Sequence, residues 1–308
     1  MKSLSEILEQ AKDSDSDSIL SLVDKVERIL VSERERTSEK IKIIGRLVRL
    51  PASGRATVIG DIHGDMQSLG KILADSNFLE RADKPDEYII FLGDYGDRGL
   101  QSPEVYYVVL NLKSMFPNNV ILLQGNHEGP EDLLAHPHDL PIHIKMKMGA
   151  GWESVYSRLS ELFRKFYTCV LVEEKCVMLH GGVPSKARTI DDVAYAFEKH
   201  PMESHLEEIL WSDPSDEIRG AIPSSRGAGY IFGEDVTESF IRMLRIRFVI
   251  RGHEPAEMGY KYNHSGRILT LFSRKGPPYS NSQGAYLTFD LSGTYESALS
   301  LEPYIRKF

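Results

Sequence analysis

Five short apolar runs in the chain each lead into a glycine that stands beside Asp, Asn or His. Runs of this length are typical of buried β-strands. They occupy residues 56–59, 88–92, 120–123, 176–179 and 248–250. After the first run, apolar side chains recur at helical spacing, as Met66, Leu69 and Ile72 do. Strands that alternate with helices in this rhythm predict βαβ units and a largely parallel first sheet.

The second half of the sequence is richer in strand patterns. Residues 167–179 predict a hairpin, and residues 268–272 and 285–290 predict two further strands. Residues 190–210 are predicted to be helical, and Asp235 with Glu238 resembles a capping box at the start of another helix. A mixed second sheet follows, so we expect an α/β fold of two packed mixed sheets flanked by helices.

The N-terminal segment, residues 1–50, is predicted to be helical. Apolar side chains at helical spacing follow an Asp/Ser run that can cap a helix; they are Ile19, Leu20, Val23, Val26, Ile29 and Leu30. We interpret this stripe as a face that packs on the main domain, residues 51–308. A regulatory or partner-binding arm is the alternative interpretation.

Composition and charge narrow the range of functions. The net charge of −8 and the pI near 5.7 argue against nucleic-acid binding, which needs a basic face. No apolar run approaches the roughly 18 residues that span a membrane, and the polar, acidic N-terminus does not resemble a secretory signal. Cys169 and Cys176 fit buried strands as reduced thiols, with a cross-strand disulfide as the alternative. We therefore expect a cytoplasmic protein with neither a nucleic-acid nor a membrane partner.

Polar side chains at the strand ends predict a metal site. Open α/β sheets place their sites at the carboxyl ends of the strands, so the five strand ends should bring six side chains together. These are Asp61, His63, Asp94, Asn126, His180 and His253. Oxygen and imidazole donors without a thiolate suit divalent ions such as Mn, Fe or Zn. Asp94 and Asp97 share one tight loop and also need positive charge beside them, part of which Arg98 supplies.

The strand ends carry five motifs in a fixed order: GDIHG (60–64), GDYGDRG (93–99), GNHE (125–128), HGG (180–182) and RGHE (251–254). In this order they resemble the phosphoprotein phosphatase family of metallophosphoesterases, in its Ser/Thr-specific branch, over about residues 55–290. The resemblance implies a metallophosphoesterase-like fold, a four-layer α/β/β/α sandwich. Gly96 and the residues after GNHE resemble prokaryotic members more than eukaryotic ones.

The resemblance also implies a reaction. Two divalent metal ions would be bound, one by Asp61, His63 and Asp94 and the other by Asp94, Asn126, His180 and His253, so that Asp94 bridges them. A metal-bridging hydroxide would attack the phosphorus of a phosphoserine or phosphothreonine monoester in a phosphoprotein or phosphopeptide. His127, held by Asp97, would protonate the leaving alkoxide as general acid. Arg98, Asn126 and Arg226 would bind the phosphate.

Several alternatives remain open. His136 and His138 lie in the loop 129–141 and could be additional ligands, but beside prolines we interpret them as surface or hydrogen-bonding groups. Tyr279 could replace a tyrosine that relatives carry beside the substrate groove, although its spacing differs. A dinucleoside polyphosphate hydrolase with the same metal centre is the alternative enzyme, and a non-catalytic binding protein is the alternative outside enzymes. The WSDP motif, residues 211–214, and Arg226 favour the phosphatase.

Overall fold

The chain begins with two helices and a β-hairpin. The computed structural model describes residues 2–35 and 41–308, and its first elements are α1 (Leu4–Asp13), α2 (Ser16–Glu35), β1 (Lys42–Ile44) and β2 (Leu47–Leu50). The prediction of helix through residue 50 is therefore wrong for residues 42–50. The reason is Gly45, whose φ of 55° is a left-handed conformation that lets the chain reverse between β1 and β2.

The parallel part of the first large sheet is built from βαβ units, as the sequence predicts. Its elements in chain order are β3 (Arg55–Ile59), α3 (Met66–Ser76), α4 (Phe78–Arg81), β4 (Glu87–Phe91), α5 (Ser102–Met115) and β5 (Val120–Leu122). β3, β4 and β5 pair in parallel. Asp65 caps α3 by accepting a hydrogen bond from the Ser68 N–H at 3.0 Å. The predicted apolar residues Leu69 and Ile72 form the buried face of α3.

The rest of the chain completes both large sheets and adds a small third sheet and six α-helices. The helices are α6 (Leu140–Met148), α7 (Trp152–Phe163), α8 (Ile190–Ala194), α9 (Ala196–Lys199), α10 (His205–Trp211) and α11 (Glu234–Leu244). The strands are β6 (Cys169–Val172), β7 (Cys176–Leu179), β8 (Asp213–Pro214), β9 (Ala221–Pro223), β10 (Tyr230–Phe232), β11 (Phe248–Arg251), β12 (Tyr260–Asn263), β13 (Ile268–Leu271), β14 (Ala285–Asp290) and β15 (Ile305–Lys307). The predicted hairpin is therefore β6 and β7, which pair antiparallel.

Two mixed sheets form the centre of the fold in the described residues. One has the order β15-β14-β3-β4-β5, and the other has the order β1-β2-β6-β7-β11-β13-β12. A small third sheet, β8-β10-β9, lies outside them and was not predicted. The expected α/β architecture of two mixed sheets flanked by helices is confirmed.

Side-chain alternation shows how the layers pack. In β7 and β11, Met178 and Ile250 belong to the core that the larger sheet shares with β3, β4 and β5. Their neighbours Val177 and Val249 point the other way, into a second core shared with α8, α10 and α11. Successive strand residues face opposite sides of a sheet, so each strand contributes to both cores. The sheets therefore stack face to face, with helices outside.

Local details differ from the prediction in two places. The helical stretch expected over residues 190–210 is divided into α8, α9 and α10. Helix α11 has Gly233 as its N-cap, and Asp235 accepts hydrogen bonds from the Gly220 N–H at 2.9 and 3.2 Å, so the predicted capping box is wrong. Both cysteine side chains are buried and free, as expected. Within the described residues, no helix is long and apolar enough to cross a membrane.

Candidate active site

Strand ends from both large sheets meet at one open pocket of about 700 Å³. Asp61, Asp94 and Asn126 follow β3, β4 and β5, whereas His180 and His253 follow β7 and β11. Because these strands end at a common edge, their polar residues converge. The predicted residues on the pocket wall are His63, Asp94, Arg98, Asn126, His127, Arg226 and His253. Asp61 and His180 lie behind this wall and are fully buried.

Asp94 stands between two groups of donor atoms. Its Oδ2 lies 3.5 Å from Nε2 of His63, and its Oδ1 lies 3.4 Å from Nε2 of His180. Asp61 completes the first group, with its Oδ2 at 3.7 Å from Nε2 of His63. Asn126 Oδ1 and His253 Nδ1 complete the second group, each at 3.1 Å from Nε2 of His180. Each carboxylate oxygen of Asp94 therefore faces a separate group.

Backbone carbonyls orient the two histidines nearest to Asp94. Nδ1 of His63 lies 2.9 Å from the Gly96 carbonyl oxygen, and Nδ1 of His180 lies 3.0 Å from that of Leu92. A ring nitrogen that donates to a carbonyl leaves Nε2 with its lone pair facing the site. Burial lowers the pKa of both imidazoles, as it does for His253, so they are present as neutral rings. Neutral imidazole is the form that binds metals.

The donor set fits divalent cations. Asp61 Oδ2 is buried and has no hydrogen-bond partner within residues 2–35 and 41–308. Asn126 Oδ1 lies 3.1 and 3.0 Å from the two oxygens of Asp94, a contact that is repulsive unless the amide turns round or a cation lies between them. Burial raises the pKa of Asp61, and burial together with the Asp61 charge raises that of Asp94. Divalent charge at this point would keep both carboxylates ionised.

The loops hold five site residues in left-handed backbone conformations. The φ angle is positive at His63, Asp94, Asp97, Arg98 and His253, with values from 44° to 73°. Such conformations are uncommon for residues other than glycine and cluster at functional sites, where the surrounding structure enforces them. The strand ends therefore direct these side chains inwards against the local preference of the backbone.

Glu128 helps to hold the site loops in these conformations, a role that the sequence did not reveal. Its buried carboxylate accepts hydrogen bonds from the backbone N–H groups of Asp94, Tyr95 and Gly125 at 2.9, 3.1 and 3.1 Å. The Tyr106 hydroxyl donates a fourth at 2.6 Å. One side chain thus joins the loop after β4 to the loop after β5. Its place in the GNHE motif was the only available signal.

The pair of His127 and Asp97 lies beside the donor groups. His127 Nδ1 is 2.5 Å from Asp97 Oδ2, and the His127 ring contacts the His63 ring edge to face at 4.9 Å between centroids. His138 Nδ1 approaches the same Asp97 oxygen at 2.7 Å. Burial alone would raise the pKa of Asp97, but hydrogen bonds from His127 and His138 outweigh it and hold that pKa below its usual value. Asp97 is therefore ionised beneath His127.

Two arginines line the pocket, Arg98 and Arg226. Arg98 donates from Nη2 to the His136 carbonyl at 3.3 Å. Arg226 is anchored through Nε to Asp213 Oδ2 at 2.8 Å, and the other Asp213 oxygen accepts from Arg251 at 2.9 Å. Asp213, the aspartate of WSDP, thus aims Arg226 at the site, which the sequence alone did not indicate.

The loop 273–284 also borders the pocket, through Pro278 and Tyr279. The Tyr279 ring stacks on the His63 ring with 5.6 Å between centroids. The Arg274 guanidinium lies 5.2 Å from the Tyr279 centroid and donates to the His63 carbonyl at 2.9 Å. Tyr279 therefore contacts a residue of the donor set. His136, by contrast, has an exposed side chain that joins neither donor group.

This geometry agrees with a comparison against known protein families. Residues 54–257 match the calcineurin-like phosphoesterases. The chain belongs to that family. The match contains every residue of the two donor groups, together with His127, Asp97, Arg98 and Arg226.

Two relatives of this chain are named as protein phosphatases. A probable serine/threonine-protein phosphatase of Encephalitozoon cuniculi is 32% identical over 84% of this chain and 56% of its own length. A protein phosphatase 2A catalytic subunit from Dictyostelium discoideum is 30% identical over 86% of this chain and 78% of its own length. The predicted membership of the phosphoprotein phosphatases is confirmed. The chain spans little more than half the length of the first relative.

A solved structure shows the same fold. A serine/threonine phosphatase from Saccharomyces cerevisiae superposes with a TM-score of 0.70 at 24% identity, over 89% of this chain and 82% of that one. This calcineurin-like phosphoesterase therefore has the metallophosphoesterase-like architecture that the motifs implied.

Proposed function

We propose that the protein is a metal-dependent serine/threonine protein phosphatase that hydrolyses phosphoserine and phosphothreonine monoesters. One observation carries this proposal: Asp94 divides its oxygens between two donor groups, directly beside the His127–Asp97 pair. Phosphate ester hydrolysis needs groups that bind metal ions, an acid for the leaving group and cations for the phosphate. The two donor groups, His127 and the two arginines supply these three. The names of the Encephalitozoon and Dictyostelium relatives support the same substrate class.

The two donor groups would each hold one divalent ion. Asp61, His63 and Asp94 would bind the first ion, and Asp94, Asn126, His180 and His253 the second. We expect Mn²⁺ to serve in vitro, with Fe or Zn as natural ions, since oxygen and imidazole donors suit all three. When bound, such ions neutralise the negative phosphoryl group and lower the pKa of water into the neutral range.

His127 would act as general acid. Its Nδ1 is engaged by Asp97, which fixes the ring, while the residue itself lines the pocket where the ester would lie. The leaving alkoxide of serine or threonine is strongly basic, so a proton delivered by a positioned histidine accelerates its departure by about 10²–10⁴. An aryl phosphate has a better leaving group and depends less on this proton.

Arg98, Arg226 and Asn126 would bind the phosphoryl oxygens. Arg226 uses Nε for Asp213, so its two terminal nitrogens can form parallel hydrogen bonds to phosphate. Arg98 lines the same pocket, held by the His136 carbonyl. The substrates would be phosphoproteins, because the pocket is open and can receive a side chain presented by a larger molecule.

Metal removal combined with a choice of substrates tests the proposal. Chelated protein should hydrolyse no phosphoserine peptide, Mn²⁺ should restore turnover, and metal analysis should find two ions per chain. A dinucleoside polyphosphate, assayed in parallel, should react far more slowly. Full activity after chelation would refute metal dependence, and faster hydrolysis of the dinucleotide would identify a nucleotide hydrolase instead.

A further inference from the structure

Asp97 accepts hydrogen bonds from two histidines at one carboxylate oxygen. Its Oδ2 lies 2.5 Å from Nδ1 of His127 and 2.7 Å from Nδ1 of His138, and its Oδ1 lies 2.6 Å from the backbone nitrogen of Leu140. We propose that His138 is a positioning residue that fixes the Asp97 carboxylate and, through it, the His127 imidazole. This inference rests on the proposed function, in which His127 is the general acid.

Tyr156 orders the protons along this chain of contacts. Its hydroxyl oxygen lies 3.0 Å from Nε2 of His138. Burial raises the pKa of Tyr156, so the phenol keeps its proton and can donate it to Nε2. An ionised carboxylate can only accept, so Nδ1 of His138 carries the proton of its contact with Asp97, and Nε2 can accept from Tyr156. The order of donation is thus Tyr156 to His138 to Asp97.

A metal ion does not account for this cluster. The separations of 2.5 and 2.7 Å are donor–acceptor distances of short hydrogen bonds. Two ligands of one tetrahedral ion, each about 2.0–2.1 Å from the metal, lie about 3.3 Å apart. Asp97 therefore forms direct hydrogen bonds with His127 and His138.

The segment that carries His138 lies against the proposed machinery at three points. His138 and the Leu140 N–H bind the two oxygens of Asp97, and the His136 carbonyl accepts from Arg98. Asp97 itself has a φ of 61°, a left-handed conformation that its surroundings must enforce. His138 is the member of this segment whose side chain binds Asp97, and that side chain is 10% exposed.

Two amide replacements separate the contacts of His138. In asparagine the amide nitrogen is bonded to Cγ, as Nδ1 is in histidine, so His138→Asn keeps a donor for Asp97 and gives up Tyr156. In glutamine the nitrogen lies further out, so His138→Gln keeps the contact with Tyr156 and gives up Asp97. On a phosphoserine peptide we expect His138→Gln to lower kcat about ten- to a hundredfold and His138→Asn to stay within about threefold of wild type. KM should change little in both variants, because neither replaces a group that touches phosphate.

A double variant shows whether His138 acts through His127. His127→Asn removes the acid, so His138 should then have nothing left to position. His127→Asn combined with His138→Gln should therefore be no slower than His127→Asn alone. Losses that multiply in the double variant would overturn the proposal, as would wild-type kcat in His138→Gln or an equally slow His138→Asn.

A spectroscopic measurement on metal-free protein needs no activity. Nitrogen-15 NMR of histidine side chains should show His138 with its proton on Nδ1, and a proton on Nε2 would overturn the proposed order. The assays also keep the two proposals apart. A wild-type protein that cleaves no phosphoserine peptide, or a His127→Asn variant that keeps full rate, refutes the proposed function. If the wild type is active and His127→Asn is slow, the results for the His138 variants test only the proposed role of His138.

Discussion

Arg226 is the residue whose assignment rested most on resemblance. Without the family resemblance, an arginine in a polar loop would be interpreted as a solvated side chain. The structure puts its guanidinium at the pocket, with 39% of the side chain exposed and Nε bound to Asp213. The two terminal nitrogens have no hydrogen-bond partner within the described parts of the chain. An anchored guanidinium with two free donors is suited to phosphate.

We expect Arg226→Ala to lower kcat/KM on a phosphopeptide about ten- to a hundredfold, because a hydrogen bond to a charged group contributes roughly 1.5–3 kcal/mol. Arg226→Lys should recover only part of this, since an ammonium group offers one point charge and cannot bind bidentately. Metal content should stay unchanged, because a guanidinium is not a ligand. Steady-state kinetics with metal analysis measures both quantities.

Arg219 provides the matched control from the same segment of the chain. Its side chain is 92% exposed, its Nε lies 3.7 Å from Oδ2 of Asp235, and it does not line the pocket. Arg219→Ala should therefore keep wild-type kcat/KM. Equal values for wild type and Arg226→Ala would mean that the phosphate-binding role belongs to another residue.

The loops after β4 and β5 pack with almost no space between them. A Cβ added at Gly125 would lie 2.2 Å from Oδ1 of Asp94 and 2.4 Å from its backbone nitrogen. Gly93 has the same constraint from the other side, because its Cβ would lie 2.4 Å from the Gly125 nitrogen. The close approach of these loops puts Asp94 next to Asn126, and only glycine permits it.

Gly125→Ala should displace Asp94 and weaken metal binding. Overpacking of a tight site typically costs about 1–3 kcal/mol, so we expect a lower unfolding free energy and more than about tenfold lower activity. Isothermal calorimetry with Mn²⁺ measures the affinity directly. Gly70→Ala is the control. Gly70 lies in α3, and its added Cβ would lie 3.4 Å from the Leu8 side chain of α1, which is an ordinary van der Waals distance. Wild-type metal affinity in Gly125→Ala would contradict this account of the loops.

The strand ends were predictable because two regularities coincide there. Apolar runs such as residues 88–92 mark buried strands, and parallel strands bring their ends together, so the meeting of Asp61, Asp94 and Asn126 followed from pattern and topology. The individual roles of the site residues, as metal ligands, general acid or phosphate contacts, stay predictions. The membership of the phosphoprotein phosphatases, inferred from five motifs, is confirmed.

Contacts between segments that are distant in the chain could not be predicted from the sequence. His138 was interpreted as a surface or hydrogen-bonding group, and its partner Asp97 lies 41 positions earlier in the chain. Glu128 contacts backbone groups 33 and 34 positions away. No local periodicity encodes such pairings. The strands β1 and β2 were missed for a related reason, because β2 is stabilised by pairing with β6, more than a hundred positions later.

For the molecule as a whole, the N-terminal helices share the main hydrophobic core. Ile19, Val23, Val26 and Leu30 of α2 are buried in the same core as the strands of the first sheet. This favours the interpretation of a packed segment over a free arm. Whether residues 1–50 constitute a separate unit stays a prediction, and a buried ion pair between α2 and α5 offers a way to test it.

Lys113 of α5 is 1% exposed, and its ammonium nitrogen lies 2.7 Å from the carboxylate of Glu33 of α2. It also donates to the carbonyls of Pro117 and Val120 at 2.8 and 2.9 Å. The Tyr167 hydroxyl donates to the same glutamate at 2.8 Å. Burial lowers the pKa of Lys113 and Glu33 opposes that shift, so the carboxylate is what makes a buried ammonium tolerable.

Glu33→Ala should lower the free energy of unfolding by about 3–5 kcal/mol, because it leaves a buried charge without its partner. Replacing both residues, as Glu33→Leu with Lys113→Met, should restore part of the loss, since no buried charge remains. Asp24→Ala is the control: it removes a surface partner of Arg158 from the same helix and should cost less than about 1 kcal/mol. Urea unfolding of the four proteins measures these differences. If the N-terminal helices were a detachable arm, Glu33→Ala would leave the main transition unchanged, so equal midpoints for wild type and Glu33→Ala would refute the packed interpretation.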